Sequence, residues 1–121
     1  MRALHAIGDA AVRLAIDVLI ENGTPSRRHG IEHLELTAPE DDPRLATAGI
    51  AACIFSARAD PAIFGAWPEL LGGERCARAF AFREFADAGV RVCIGTDAPT
   101  GYWKCWKNLK NLYTATTRML I

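Results

Sequence analysis

The sequence predicts an α/β fold made of consecutive strand–helix units around a parallel sheet, and three observations predict it. Short apolar runs of strand length alternate with amphipathic stretches of helical period along the whole chain, which is the signature of βαβ units. The run from Ile50 to Phe55 is apolar almost throughout, as a strand covered on both faces must be. A short repeat, Ala48-Gly49-Ile50 and Ala88-Gly89-Val90, twice joins a helix end to such a strand. Right-handed crossovers then place the helices on one side of a curved sheet or on both sides of an open one. Periodicity alone leaves both arrangements open.

The elements follow in order. Arg2 to Ala6 reads as a short strand. A helix follows with Asp9 as N-cap, and its apolar stripe is Ala11, Leu14, Ala15, Val18 and Leu19, at the spacing of one helical face. Gly23 is expected to end it in the left-handed C′ conformation, with Pro25 blocking continuation. Gly30 to Leu34 is the second strand. Thr37 and Glu40 have capping-box spacing, with Pro39 in the first turn, and open a short helix that ends at Gly49. After the strand from Ile50 to Phe55, a long loop is expected through Pro61, Pro68, Gly72 and Gly73. Ala77, Phe80, Ala81, Phe85 and Ala88 lay out another helix, closed by Gly89. Val90 to Ile94 is the last strand, and a final helix covers Asn108 to Met119.

Composition narrows the function classes. The 121 residues include 14 basic and 14 acidic side chains, for a formal net charge of zero. A neutral chain makes no electrostatic case for nucleic acid or an anionic membrane. Lys104, Lys107 and Lys110 form a local basic cluster that suits a solvated helix face. No apolar run approaches the ~18 residues that would span a bilayer, and no secretory leader is visible. Cys53, Cys76, Cys93 and Cys105 form no close C-x-x-C pair, so no zinc ribbon or redox motif is indicated. Cys53 and Cys93, inside strand-like runs, read as reduced core thiols of a cytoplasmic protein. No glycine-rich phosphate loop follows a strand, which argues against an open-sheet nucleotide-binding module.

The polar residues at strand ends carry the chemistry. His5 closes the first strand, His33 the second, and Asp97 follows the fourth, while the third leads into Ser56-Ala57-Arg58. In a barrel the carboxyl ends of the strands converge on one mouth. Two imidazoles and a carboxylate there suit a divalent metal such as zinc, iron, manganese or nickel. The structural alternative for each is a hydrogen-bonded strand-end histidine, or an aspartate in a turn or cap. Alternation sets Glu32 opposite His33, as an ion-pair partner for a covering helix. His29 belongs at the other end of the sheet. Phe64, Trp67 and Trp103 fall in loops that either wall a pocket or cover the core.

At these residues a family resemblance emerges. His5-Ala6-Ile7-Gly8-Asp9-Ala10-Ala11 resembles the fifth-strand motif of the metal-dependent amidohydrolase superfamily, in its amidohydrolase family 3 group. Arg28-His29-Gly30-Ile31-Glu32-His33-Leu34-Glu35 is similar to the sixth-strand motif, and Gly95-Thr96-Asp97-Ala98-Pro99 to the eighth. Residues 111–118 resemble the helix beyond it. The resemblance implies a partial (β/α)8 TIM-type barrel of about four βα units, strands five to eight, with residues 1–121 as one partial barrel domain. The amino-terminal half of the barrel and most of a small β-rich domain would then lie outside this sequence. It implies His5, His33 and Asp97 as metal residues, with His33 and Asp97 also catalytic, around a divalent metal, zinc foremost. Arg58 stands where the family usually carries a histidine, in the segment after the seventh strand. The implied reaction is hydrolysis of a non-peptide C–N bond, in a small-molecule amide, carbamate or related compound. Metal-activated water attacks and Asp97 shuttles the proton. The alternative is a catalytically inactive remnant of the fold that at most binds a partner. Open sheet edges in such a half-barrel would favour self-association.

Overall fold

The structure, a computed structural model, describes residues 1–24, 27–59 and 65–99. The expected final helix, the lysine cluster, Phe64 and Trp103 lie outside the described residues. Four short strands, β1 (Ala3–Ala6), β2 (Gly30–His33), β3 (Ala51–Ile54) and β4 (Val92–Ile94), form one sheet in the order β1-β2-β3-β4. All three neighbouring pairs are parallel. Sequential parallel order with helical crossovers is what a run of consecutive βα units in a (β/α)8 barrel gives. Among the described residues, β1 and β4 are the sheet's edges.

The first crossover helix is α1 (Asp9–Asn22). Its N-cap is Gly8 rather than Asp9; Asp9 is the first helical residue, where a carboxylate still complements the helix dipole. The buried stripe is Val12, Ala15, Ile16 and Leu19, so the expected stripe is corrected by a rotation of about one residue. Leu14 and Val18 are exposed. The sequence carries two overlapping apolar stripes, and the β-branched Val12 and Ile16 belong to the one that meets the sheet. Gly23 ends the helix in extended, not left-handed, backbone. Glycine is needed there for another reason: a Cβ would fall 2.1 Å from the carbonyl oxygen of Leu19.

The helix α2 (Asp41–Ala48) starts after Glu40, and no side chain caps it, so the expected capping box does not form. Thr37 is buried instead. Gly49 does take the left-handed conformation, at φ 65, and its amide donates to the carbonyls of Ala46 and Leu45. Asp41, fully buried, accepts from Arg13 and Arg44 and so ties α1 to α2.

The expected loop after β3 contains regular structure among its described residues, while Pro61 lies outside them. Among the described residues a 3-10 turn covers Ser56–Ala59, and two short helices follow, α3 (Trp67–Leu71), with Pro68 in its first turn, and α4 (Gly73–Cys76). The expected helix from Ala77 to Ala88 is shorter, with α5 spanning Phe82–Asp87. Phe80 breaks it at φ 59. Its amide donates to Glu35 O at 2.7 Å, and Ala79 bridges Leu36 in antiparallel fashion. These tertiary bonds outweigh the helical periodicity of residues 77–81.

The core lies between the sheet and its covering helices. The register row Leu4, Ile31, Ala52 and Val92 faces it, together with Ile16, Leu45, Phe82 and Phe85. Burying each of the larger side chains contributes roughly 1.5–3 kcal/mol. No described helix is long and apolar enough to cross a membrane.

Candidate functional site

The next register row, His5, Glu32, Cys53 and Cys93, faces away from the core by strand alternation. Glu32 therefore sits beside Cys53 on the His5 face, not against a covering helix as expected. Burial first, then Glu32, then Cys93 push the Cys53 thiol up to about 12. A thiol held protonated at neutral pH is a poor nucleophile. Cys93 is exposed rather than a core thiol.

Simple alternation would send His33 into the core, because its register partner Ala6 belongs there. The backbone prevents this. His33 and Leu34 have φ of 80 and 54, each costing on the order of 1–3 kcal/mol for a residue with a Cβ. Leu34 then takes the core position, 1% exposed. The imidazole of His33 turns back toward His5, with ring centroids 4.1 Å apart. Burial of Leu34 offsets a large part of that strain.

The remaining surroundings of His33 are close-packed. The Phe55 ring meets it edge-on at 4.7 Å, and Glu35 Oε1 lies 3.2 Å from its Nδ1. Gly95 leaves the room that Phe55 occupies, since a Cβ there would fall 2.5 Å from the Phe55 ring. Asp97, at φ 54 beyond β4, accepts a 2.5 Å charged hydrogen bond from Arg58 Nη2. A pocket of about 440 Å³ is lined by His5, Ile7, His33, Glu35, Arg58, Trp67 and Asp97. Trp67 forms its wall from α3, stacked on Phe80 at 5.5 Å.

The strand ends thus bring His5, His33 and Asp97 to one pocket, but with unequal relations. The histidines touch, whereas the carboxylate is held by a guanidinium from the 3-10 turn after β3. The histidine pair brings two imidazole rings into contact at the mouth of the sheet, with centroids 4.1 Å apart. The carboxylate does not complete a triad: among the described residues no three His, Cys, Asp or Glu side chains are grouped as a metal cage requires. His29, buried at the opposite end of β2, lies outside the pocket. Sequence reasoning missed Glu35 as a partner of His33 and Arg58 as the partner of Asp97. The i, i+2 spacing of His33 and Glu35 was the available signal for the first.

With this geometry in place, comparison with known proteins is informative. Residues 2–120 match the amidohydrolase family. The chain belongs to that family. Two solved structures share its fold. One is an uncharacterized metal-dependent hydrolase from Pyrococcus furiosus, 22% identical, matched over 90% of this chain and 22% of that one with a TM-score of 0.74. The other is an uncharacterized metal-dependent hydrolase from Pyrococcus horikoshii OT3, 22% identical, matched over 98% of this chain and 26% of that one with a TM-score of 0.77. The chain spans about a quarter of the length of these structures. No significant match is found among curated proteins.

Proposed function

We propose that this amidohydrolase-family chain carries part of the active site of a metal-dependent hydrolase acting on non-peptide C–N bonds, in amides, carbamates or related small molecules. The observation that carries the reading is the contact between His5 and His33 at the mouth of the sheet, in a pocket that also holds Asp97. His5 and His33 would hold a divalent ion, with zinc the best chemical match to imidazole donors. When bound, such an ion supplies Lewis acidity and lowers the pKa of its water. The chain's own residues do the rest. Asp97, the more exposed of the two carboxylates that line the pocket, would carry a proton to a leaving nitrogen. In the metal-free arrangement that carboxylate accepts a charged hydrogen bond from Arg58. Trp67 gives an apolar wall against which a small substrate can be placed.

The test is metal titration of the purified chain, with competition from a chromophoric chelator reading the affinity for zinc and cobalt. Uptake of one ion that His5→Ala and His33→Ala each abolish is the expected result. Uptake that neither substitution alters would overturn the assignment.

The Arg58–Asp97 pair favours a second reading. A guanidinium stays protonated and is not a ligand, so its charge in the pocket opposes a cation. On this reading the chain is a non-catalytic form of the fold that at most binds a partner. Hydrolysis of a panel of amides and carbamates by the metal-loaded chain, lost in Asp97→Asn, would rule it out.

A further inference from the structure

Glu35 lies two residues beyond His33, past the end of β2, and its side chain is as buried as the ring it meets, at 6% and 7% exposure respectively. A buried carboxylate is costly unless it is hydrogen-bonded, and His33 Nδ1 at 3.2 Å supplies that bond. An ionised carboxylate only accepts, so with Glu35 ionised the hydrogen between the two groups sits on Nδ1. In a neutral imidazole the lone pair is then on Nε2.

We propose that Glu35 is a positioning residue, holding His33 as its Nδ1–H tautomer so that Nε2 is the electron-pair donor offered to the pocket. The ring contacts with His5 and Phe55 fix the imidazole plane but select neither nitrogen; the carboxylate makes the selection. The Glu35 main chain is itself anchored, because its carbonyl accepts from the Phe80 amide and the next residue, Leu36, bridges Ala79. Thus the break in the helix at Phe80 serves the site: it fixes the residue that orients His33. A carboxylate behind a ligating imidazole sets its tautomer and raises its basicity, and losing such a partner typically weakens metal binding by roughly 10–100-fold. That consequence rests on His33 being a metal residue, whereas the tautomer does not.

The experiment uses the full chain with ¹⁵N-labelled histidine, free of metal and at a pH of about 8.5, above the ordinary histidine range. Long-range ¹H–¹⁵N correlation then identifies the tautomer of His33. The Nδ1–H form is expected in the wild type. Glu35→Leu should give a mixture or the Nε2–H form, and should weaken cobalt binding by roughly 10–100-fold. An Nε2–H or imidazolium His33 in the wild type would overturn the proposal even where Glu35→Leu does not fold. So would a tautomer that Glu35→Leu leaves unchanged. A tautomer that follows Glu35, together with cobalt affinity that His33→Ala leaves unchanged, supports the positioning role and overturns the metal reading alone.

Discussion

The carboxyl ends of β2 and β4 each present a functional candidate in left-handed backbone, His33 at φ 80 and Asp97 at φ 54, yet they are held by different forces. His33 is buried among a histidine, a phenylalanine and a carboxylate, next to a leucine that fills the core. The Asp97 side chain is 28% exposed and bonded to an arginine that is 30% exposed. The first end is fixed by packing, the second by an ion pair reached across the chain. A packed end should resist salt and fail when the core fails. An ion-paired end should tolerate core changes and answer to charge.

The largest expected effect is on the packed end. Leu34→Ala removes a core side chain, 1% exposed, that also offsets the strained backbone at His33. A loss of about 2–5 kcal/mol is expected from the cavity. Urea unfolding would measure it, together with a weakened His5–His33 contact in histidine NMR. A change under about 1 kcal/mol would show that this end does not depend on the core as argued.

A charge-dependent effect of similar order is expected on the helix that leads toward β4. Asp42 in α2 is buried and faces Arg78 and Glu84 near and within α5. Burial, and secondarily Glu84, raise its pKa from 3.8 to about 6. The folded state therefore binds this proton more tightly than the unfolded one. The contribution is fully present below about 3.8 and is lost as pH rises through about 6, on the order of 3 kcal/mol in all. Asp42→Asn should flatten this part of the stability–pH curve and raise stability at pH 7 relative to the wild type. An unchanged curve would remove the buried charge from the account.

The same contrast explains what was legible in the sequence. Strand positions, their parallel order, and His5, His33 and Asp97 at strand ends were readable, because apolar runs and their flanks are local patterns. Periodicity alone does not place the buried stripe on α1, because Leu14 and Val18 fit a helical face as well as Val12 and Ile16 do. Gly23 was identified as a helix terminator, but close approach to the Leu19 carbonyl, not left-handed backbone, requires it. The early end of the helix before Phe82 depends on Phe80 bonding to Glu35, a contact between distant segments that no periodicity encodes. Arg58 and Asp97 are 39 residues apart, so nothing in the local sequence pairs them.

A smaller packing effect is expected where the two ends meet. Gly95→Ala places a methyl 2.5 Å from the Phe55 ring, and the ring must move. Overpacking of this kind costs about 1–3 kcal/mol. Because Phe55 lies edge-on to His33, the substitution should also shift the His33 ring resonances. A folded Gly95→Ala protein with those resonances unmoved would disconnect β4 from the His33 cluster.

The smallest expected change in stability belongs to Arg58→Met, and it separates the two ends most cleanly. Both partners of the Arg58–Asp97 pair are part-exposed, so solvent screening limits the loss to about 1 kcal/mol or less. Methionine keeps much of the apolar stem while removing the charge. If the pair is what keeps Asp97 from joining the histidines, its removal should leave the His5–His33 contact intact. It should also strengthen cobalt binding by roughly tenfold, which corresponds to about 1.4 kcal/mol. High salt should narrow the difference between the two proteins, since it weakens the part-exposed pair in the wild type. Weaker cobalt binding in Arg58→Met would mean the opposite: the arginine holds Asp97 where the site needs it, and the ion pair is part of the working arrangement. Because little stability is at stake, either shift in affinity reports on the site rather than on folding.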